Sequence, residues 1–103
     1  MKYDIRVSSQ ANEDLNGIFE YIALALYEKE TAVSIIKLLQ ESIMTLDEMP
    51  GRYRLCEKEP WKTRGVHIMP VKNYLIFYVF DSGTKKVDIL RIFYGARNLD
   101  MLC

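Results

Sequence analysis

The residues Tyr74-Leu75-Ile76-Phe77-Tyr78-Val79-Phe80 form an unbroken apolar run, rich in β-branched and aromatic side chains. Such a stretch suits a strand covered on both faces, because a half-exposed strand alternates apolar with polar positions. It predicts the centre of a sheet, and its flanks predict the neighbours. Asp81-Ser82-Gly83-Thr84 has the composition of a hairpin turn, after which residues 87–94 read as a last strand stopping at Gly95. On the other side, residues 64–69 put Val66 and Ile68 on one face and His67 and Met69 on the other. Val71-Lys72-Asn73 then turns the chain into the central run. Turns this short make the three strands an antiparallel meander.

The first half carries other periods. Tyr3, Ile5 and Val7 alternate with Lys2, Asp4 and Arg6, which predicts a short edge strand. Ser8-Ser9 supplies an N-cap hydroxyl, and Ala11, Leu15, Ile18, Phe19, Ile22 and Leu26 recur at helical spacing. After a break around residues 27–30, Thr31 reads as the cap of a second helix with Ala32, Ile35, Ile36, Leu39, Ile43 and Leu46 on one face. Met49-Pro50-Gly51 ends it, since proline disfavours helical geometry in the residue before it. Each helix has one apolar stripe to bury, so the pair is expected as an antiparallel hairpin on one face of the sheet. Residues 51–62 are irregular and polar and hold the lone Trp61; they read as a loop. The class is therefore α+β: a short N-terminal strand, a helical hairpin and a three-stranded antiparallel meander.

At 103 residues the chain is expected to form one domain over residues 1–103, with a single core. No apolar run approaches the roughly 18 residues of a membrane span, and the amino terminus lacks the basic-then-apolar pattern of a signal peptide. A cytoplasmic protein without a membrane partner is the expectation. The cysteines, Cys56 and Cys103, form no metal-ligand or redox spacing. The chain has one histidine, no Walker loop, no G-x-G-x-x-G and no defensible Ser/His/Asp order, so no metal, cofactor or small-molecule substrate is expected.

The formal net charge is zero, but it is unevenly distributed. Residues 1–50 hold four Lys/Arg against nine Asp/Glu, and residues 51–103 hold ten against five. An anionic target is thus expected to meet the second half. The basic and aromatic side chains there that suit such a target are Lys62, Arg64, His67, Arg91, Tyr94 and Arg97. Arginine forks onto phosphate or carboxylate, histidine moves protons near neutral pH, and tyrosine stacks or donates a hydrogen bond. Arg91 has a structural alternative, an ion pair with a helix carboxylate, and His67 could be a solvated strand residue. Tyr74 and Tyr78, two apart on the central strand, read as core.

Asn73-Tyr74-Leu75-Ile76-Phe77-Tyr78, a turn, and then Val87-Asp88-Ile89-Leu90-Arg91-Ile92-Phe93-Tyr94-Gly95-Ala96-Arg97-Asn98 resemble the carboxy-terminal signature of RelE/ParE toxins. That family usually ends in an arginine-bearing strand and a His-Gly-x-Arg-Asp segment, where this chain has Tyr94 for the histidine and Asn98 for the aspartate. The resemblance implies the toxin of a type II toxin–antitoxin system, held inactive by a cognate antitoxin. It also implies two possible targets. ParE-like members bind and inhibit DNA gyrase; RelE-like members cleave messenger RNA in the ribosome without a metal. For cleavage the resemblance points to Arg97, Arg64 and His67 as catalytic residues; for target binding, to Lys62, Arg91, Tyr94 and Arg97. The nucleases carry an arginine directly after the tyrosine of the central strand, and this chain has Leu75 there. The ParE-like, gyrase-directed reading is therefore preferred, with the endoribonuclease as the alternative.

Overall fold

The apolar run does lie at the heart of the protein. The computed structural model describes residues 2–95, in which four strands form one sheet. These are β1 (Asp4–Val7), β2 (His67–Val71), β3 (Tyr74–Asp81) and β4 (Lys86–Tyr94), ordered β1-β4-β3-β2. The meander β2-β3-β4 is antiparallel, whereas β1 lies parallel to β4 at the sheet edge, with Ile5 opposite Val87. Between β1 and β2 come two helices, α1 (Ser9–Glu20) and α2 (Lys29–Met44).

Both faces of β3 are covered, by different means. Tyr74, Ile76 and Tyr78, with Val87, Ile89 and Ile92 of β4, meet Ala11 and Leu15 of α1 and Leu39 and Ile43 of α2. On the opposite face, Leu75 and Phe77 pack with Val66, Ile68, Cys56 and Trp61. Trp61 stands edge-on to Phe77 at 5.1 Å between ring centroids, and Phe93 does the same at 5.0 Å. The segment read from sequence as a polar loop is thus a second covering layer, held by one indole. Such aromatic pairs contribute about 0.5–1.5 kcal/mol beyond the area they bury.

Local chemistry explains most element ends. Ser8 caps α1: its hydroxyl oxygen accepts from the Ala11 N–H at 3.0 Å. Thr31 does not cap α2, which begins two residues earlier at Lys29; Glu28 stands at the cap position without a side-chain bond. The chain reverses there through Tyr27, whose φ of 57° does the work a glycine usually does. One π-helical turn, Tyr21–Ala25, follows α1, so the periodic stripe ends earlier than its apolar residues suggest. After α2, the Arg52 guanidinium gathers the carbonyls of Thr45, Glu48 and Met49, tying together the turns that end the hairpin. The first meander strand starts at His67 rather than at Arg64 and extends to Val71, leaving Lys72-Asn73 as the turn.

Tyr78 fastens the buried face to the end of the hairpin, its fully buried hydroxyl donating to the Pro50 carbonyl. Burial pushes its ionisation well above the ordinary tyrosine value of 10.0, with Arg52 only partly offsetting the effect. A raised folded-state value means that stability is intact below pH 10 and falls as pH rises above it. Alkaline titration followed by circular dichroism is expected to show unfolding that begins near pH 10. Tyr78→Phe should flatten much of that dependence while losing about 1 kcal/mol at neutral pH.

Candidate functional site

Past Ile89, β4 has no strand on the side away from β3, because β1 ends at Val7. Its exposed backbone is met instead by α1. Ser8 donates its N–H to the Ile89 carbonyl and its hydroxyl to the Leu90 carbonyl, both at 3.0 Å. Further along α1, Asp14 accepts the Ile92 N–H at 2.9 Å. The same carboxylate takes the Arg91 guanidinium in a two-point pair, at 2.8 and 3.0 Å. Asp14 raises the Arg91 pKa further, first through that hydrogen bond and then through its charge. Arg91 thus occupies the structural alternative left open above, an ion pair with a helix carboxylate.

A bulge sets this geometry. Phe77 pairs with Arg91 but Tyr78 pairs with Ile89, so Leu90 is an extra residue in β4. The bulge reverses the alternation of faces. Without it, Arg91 would point toward the helices with Val87 and Ile89; with it, Ile92 joins that core and Arg91 reaches around the sheet edge.

The other predicted residues do not converge. Lys62 and Arg64 lie on the covering segment at the face opposite the helices, with the Arg64 guanidinium 5.7 Å above the Trp61 ring. His67 is on the helix face, stacked on Tyr78 at 5.6 Å, with Nδ1 at 2.7 Å from the Tyr53 carbonyl. A carbonyl only accepts, so Nδ1 carries the proton there. Arg64 and His67 therefore sit on opposite faces of the sheet. Arg97, like Ala96, Asn98 and Cys103, lies outside the described residues.

Tyr94 belongs to a feature that sequence did not locate. Between α1, the π turn, the start of α2 and the ends of β3 and β4 runs a groove of about 710 Å³. Its apolar walls include Ile18, Tyr21, Leu26, Ile35, Tyr74 and Tyr94. Of these, Tyr21, Leu26 and Tyr94 are exposed, Tyr94 standing edge-on to Tyr74 at 5.3 Å. Leu24 and Tyr27 extend the exposed apolar surface onto the hairpin tip. Glu13, Asp14 and Lys72 supply the charged part of the lining. A signal was available: Tyr21, Leu24 and Tyr27 are apolar where the outer face of a two-helix hairpin ordinarily carries charge.

Among the described residues, no cluster of histidine, cysteine and carboxylate side chains could hold a metal, and no helix is long and apolar enough to cross a membrane. The lining of the groove offers burial to apolar side chains, with Glu13, Asp14 and Lys72 at its charged part.

Comparison with known proteins agrees with this geometry. Residues 5–99 match the family model of the ParE toxin of the type II toxin–antitoxin system parDE. A structure of the chromosomal ParDE toxin–antitoxin system from P. aeruginosa superposes with a TM-score of 0.74 at 18% identity, covering 91% of this chain and 97% of the other. The RelBE2 toxin–antitoxin complex from Mycobacterium tuberculosis gives 0.64 at 18% identity, with 91% and 99% covered. At such identities the superpositions speak for the fold. No curated protein matches the sequence.

Proposed function

Because the chain belongs to the ParE family of toxins of type II toxin–antitoxin systems, we propose that it arrests growth by binding and inhibiting DNA gyrase, and that a cognate antitoxin neutralises it. The observation that carries the choice of target is Leu75. At the position where the related nucleases keep an arginine, this side chain is 1% exposed and packs with Phe77 and Val66. The separation of Arg64 from His67 across the sheet supports the same reading, since phosphoryl transfer between RNA groups needs its charged side chains around one phosphate. Target binding falls to Lys62, Arg91, Tyr94 and Arg97, with the Arg91 guanidinium already oriented by Asp14.

Purified toxin added to gyrase and relaxed plasmid tests the target. Inhibition of supercoiling at micromolar toxin is the expected result; full supercoiling at that concentration counts against the proposal.

The antitoxin is expected to seat an apolar segment in the groove lined by Ile18, Tyr21, Leu26 and Tyr94. Segments that fold on binding bury their apolar side chains against such preformed grooves. Tyr21→Asp and Leu26→Asp should each weaken antitoxin binding by at least about 10-fold in a calorimetric titration, the loss expected for an anchor worth about 1.4 kcal/mol or more. Circular dichroism of the free toxin should be unchanged, because both side chains are already exposed.

A further inference from the structure

Along the free side of β4, α1 hands its polar groups to the strand one level at a time. Ser8 serves the carbonyls of Ile89 and Leu90, and Asp14 serves the N–H of Ile92. Positions 14 and 17 share a helix face, so the residue that comes level with the next outward groups of β4 is Gly17. It has no side chain to offer them.

Alternation identifies those groups. The Gly95 N–H donates to the Asn73 carbonyl, and Phe93 lies opposite Leu75, so Phe93 and Gly95 turn their amides toward β3. The Ile92 carbonyl and the Tyr94 N–H therefore face away from β3, and neither has a hydrogen-bond partner among the described residues. Phe93 lines the groove although its ring packs on the opposite face of the sheet, which places main chain in the groove wall. Gly17 lines the groove from the other side, exposed, with no described atom within 4 Å of the point where a Cβ would stand. Glycine weakens a helix interior relative to alanine, and nothing in the described chain demands it here.

We propose that an extended stretch of the antitoxin enters this gap, adds a short strand to β4 by bonding to the Ile92 carbonyl and the Tyr94 N–H, and is admitted there by Gly17 as a specificity-determining residue. The inference rests on the reading of the groove as the antitoxin site. Two observations select the occupant. Unpaired main-chain groups at strand spacing are satisfied by another extended backbone and not by the interior of a helix, whose own groups are already bonded. The Asp14 charge is taken by Arg91, which leaves Glu13 on the α1 wall as a carboxylate outside the described ion pairs. The entering stretch should therefore carry a basic side chain beside its apolar ones.

Calorimetric titration of the full chain with the antitoxin translated from the neighbouring reading frame tests this. Gly17→Leu should bind at least about 10-fold more weakly than wild type, and Gly17→Ala by a smaller factor, because each added carbon narrows the gap. Both should melt at or above the wild-type Tm, as better helix formers in open space, so a loss of fold does not imitate the result. Amide hydrogen exchange gives a second readout: the Tyr94 N–H should exchange freely in the toxin alone and at least about 10-fold more slowly in the complex. Wild-type affinity in Gly17→Leu overturns the proposal, as does a Tyr94 amide that the antitoxin leaves unprotected. A Tyr94 amide already protected in the toxin alone assigns the gap to the chain itself or to a second copy, and overturns it too. Tyr21→Asp separates this from a failure of the groove reading. If Tyr21→Asp weakens binding and Gly17→Leu does not, strand addition falls and the groove remains; if neither does, the antitoxin lies elsewhere and both fall.

Discussion

Leu75→Arg is expected to unfold the protein rather than to create a nuclease. The side chain is 1% exposed, enclosed by Val66, Ile68 and Phe77 beneath the Trp61 layer. A guanidinium there would lose its hydration with no carboxylate in the cluster to receive it. The cost should exceed about 4 kcal/mol, comparable to the lower end of the roughly 5–15 kcal/mol that stabilises a domain of this size. Thermal denaturation followed by circular dichroism should show no cooperative transition at 25 °C or above. Leu75→Met, close in volume and apolar, should cost less than about 1.5 kcal/mol and provides the control. A folded arginine variant would mean that this position can open to solvent, and the reading of Leu75 as core would fail.

The second large effect is at Asp14. Its carboxylate serves the Ile92 N–H at the unpaired edge of β4 and the Arg91 guanidinium. Asp14→Ala removes both partners together. Charge-assisted bonds of this kind are worth about 1.5–3 kcal/mol, so a loss of about 2–3 kcal/mol is expected for a carboxylate only 16% exposed. For a domain of this size that lowers the Tm by roughly 10–20 °C. Arg91→Ala should cost less, because Asp14 keeps its bond to the backbone. The order of the two variants is the informative part. If Arg91→Ala proves the more damaging, the carboxylate is not acting as the cap of the β4 edge.

These two residues also mark how far the sequence could be read. The run from Tyr74 to Phe80 announced a doubly covered central strand, because seven apolar side chains in a row leave no face for water. The helices were legible from their stripes and the turns from Asp, Gly and Asn. The parallel pairing of β1 was not, since a four-residue strand fits either edge of a sheet by pattern alone. Nor was the bulge at Leu90, which no glycine or proline announces; strict alternation would have turned Arg91 toward the helices.

Candidate site residues were legible as types and less so as an arrangement. Arg91 could be named, together with the ion pair it makes, but Asp14 as its partner required three dimensions. Trp61 among charged residues looked like loop, because its partners Phe77 and Val66 belong to other segments. The groove was hidden for a further reason. Ile18 and Leu26 counted as buried stripe, and only the π turn and the reversal at Tyr27 leave Tyr21 and Leu26 uncovered.

The central claim is that this toxin acts by binding its target and not by cutting RNA. Primer extension on abundant messages, in the first minutes after the chain is induced without its antitoxin, tests it most directly. Intact transcripts in cells that have already stopped growing are the result the account predicts. Codon-positioned cuts that disappear in Arg97→Ala would contradict it.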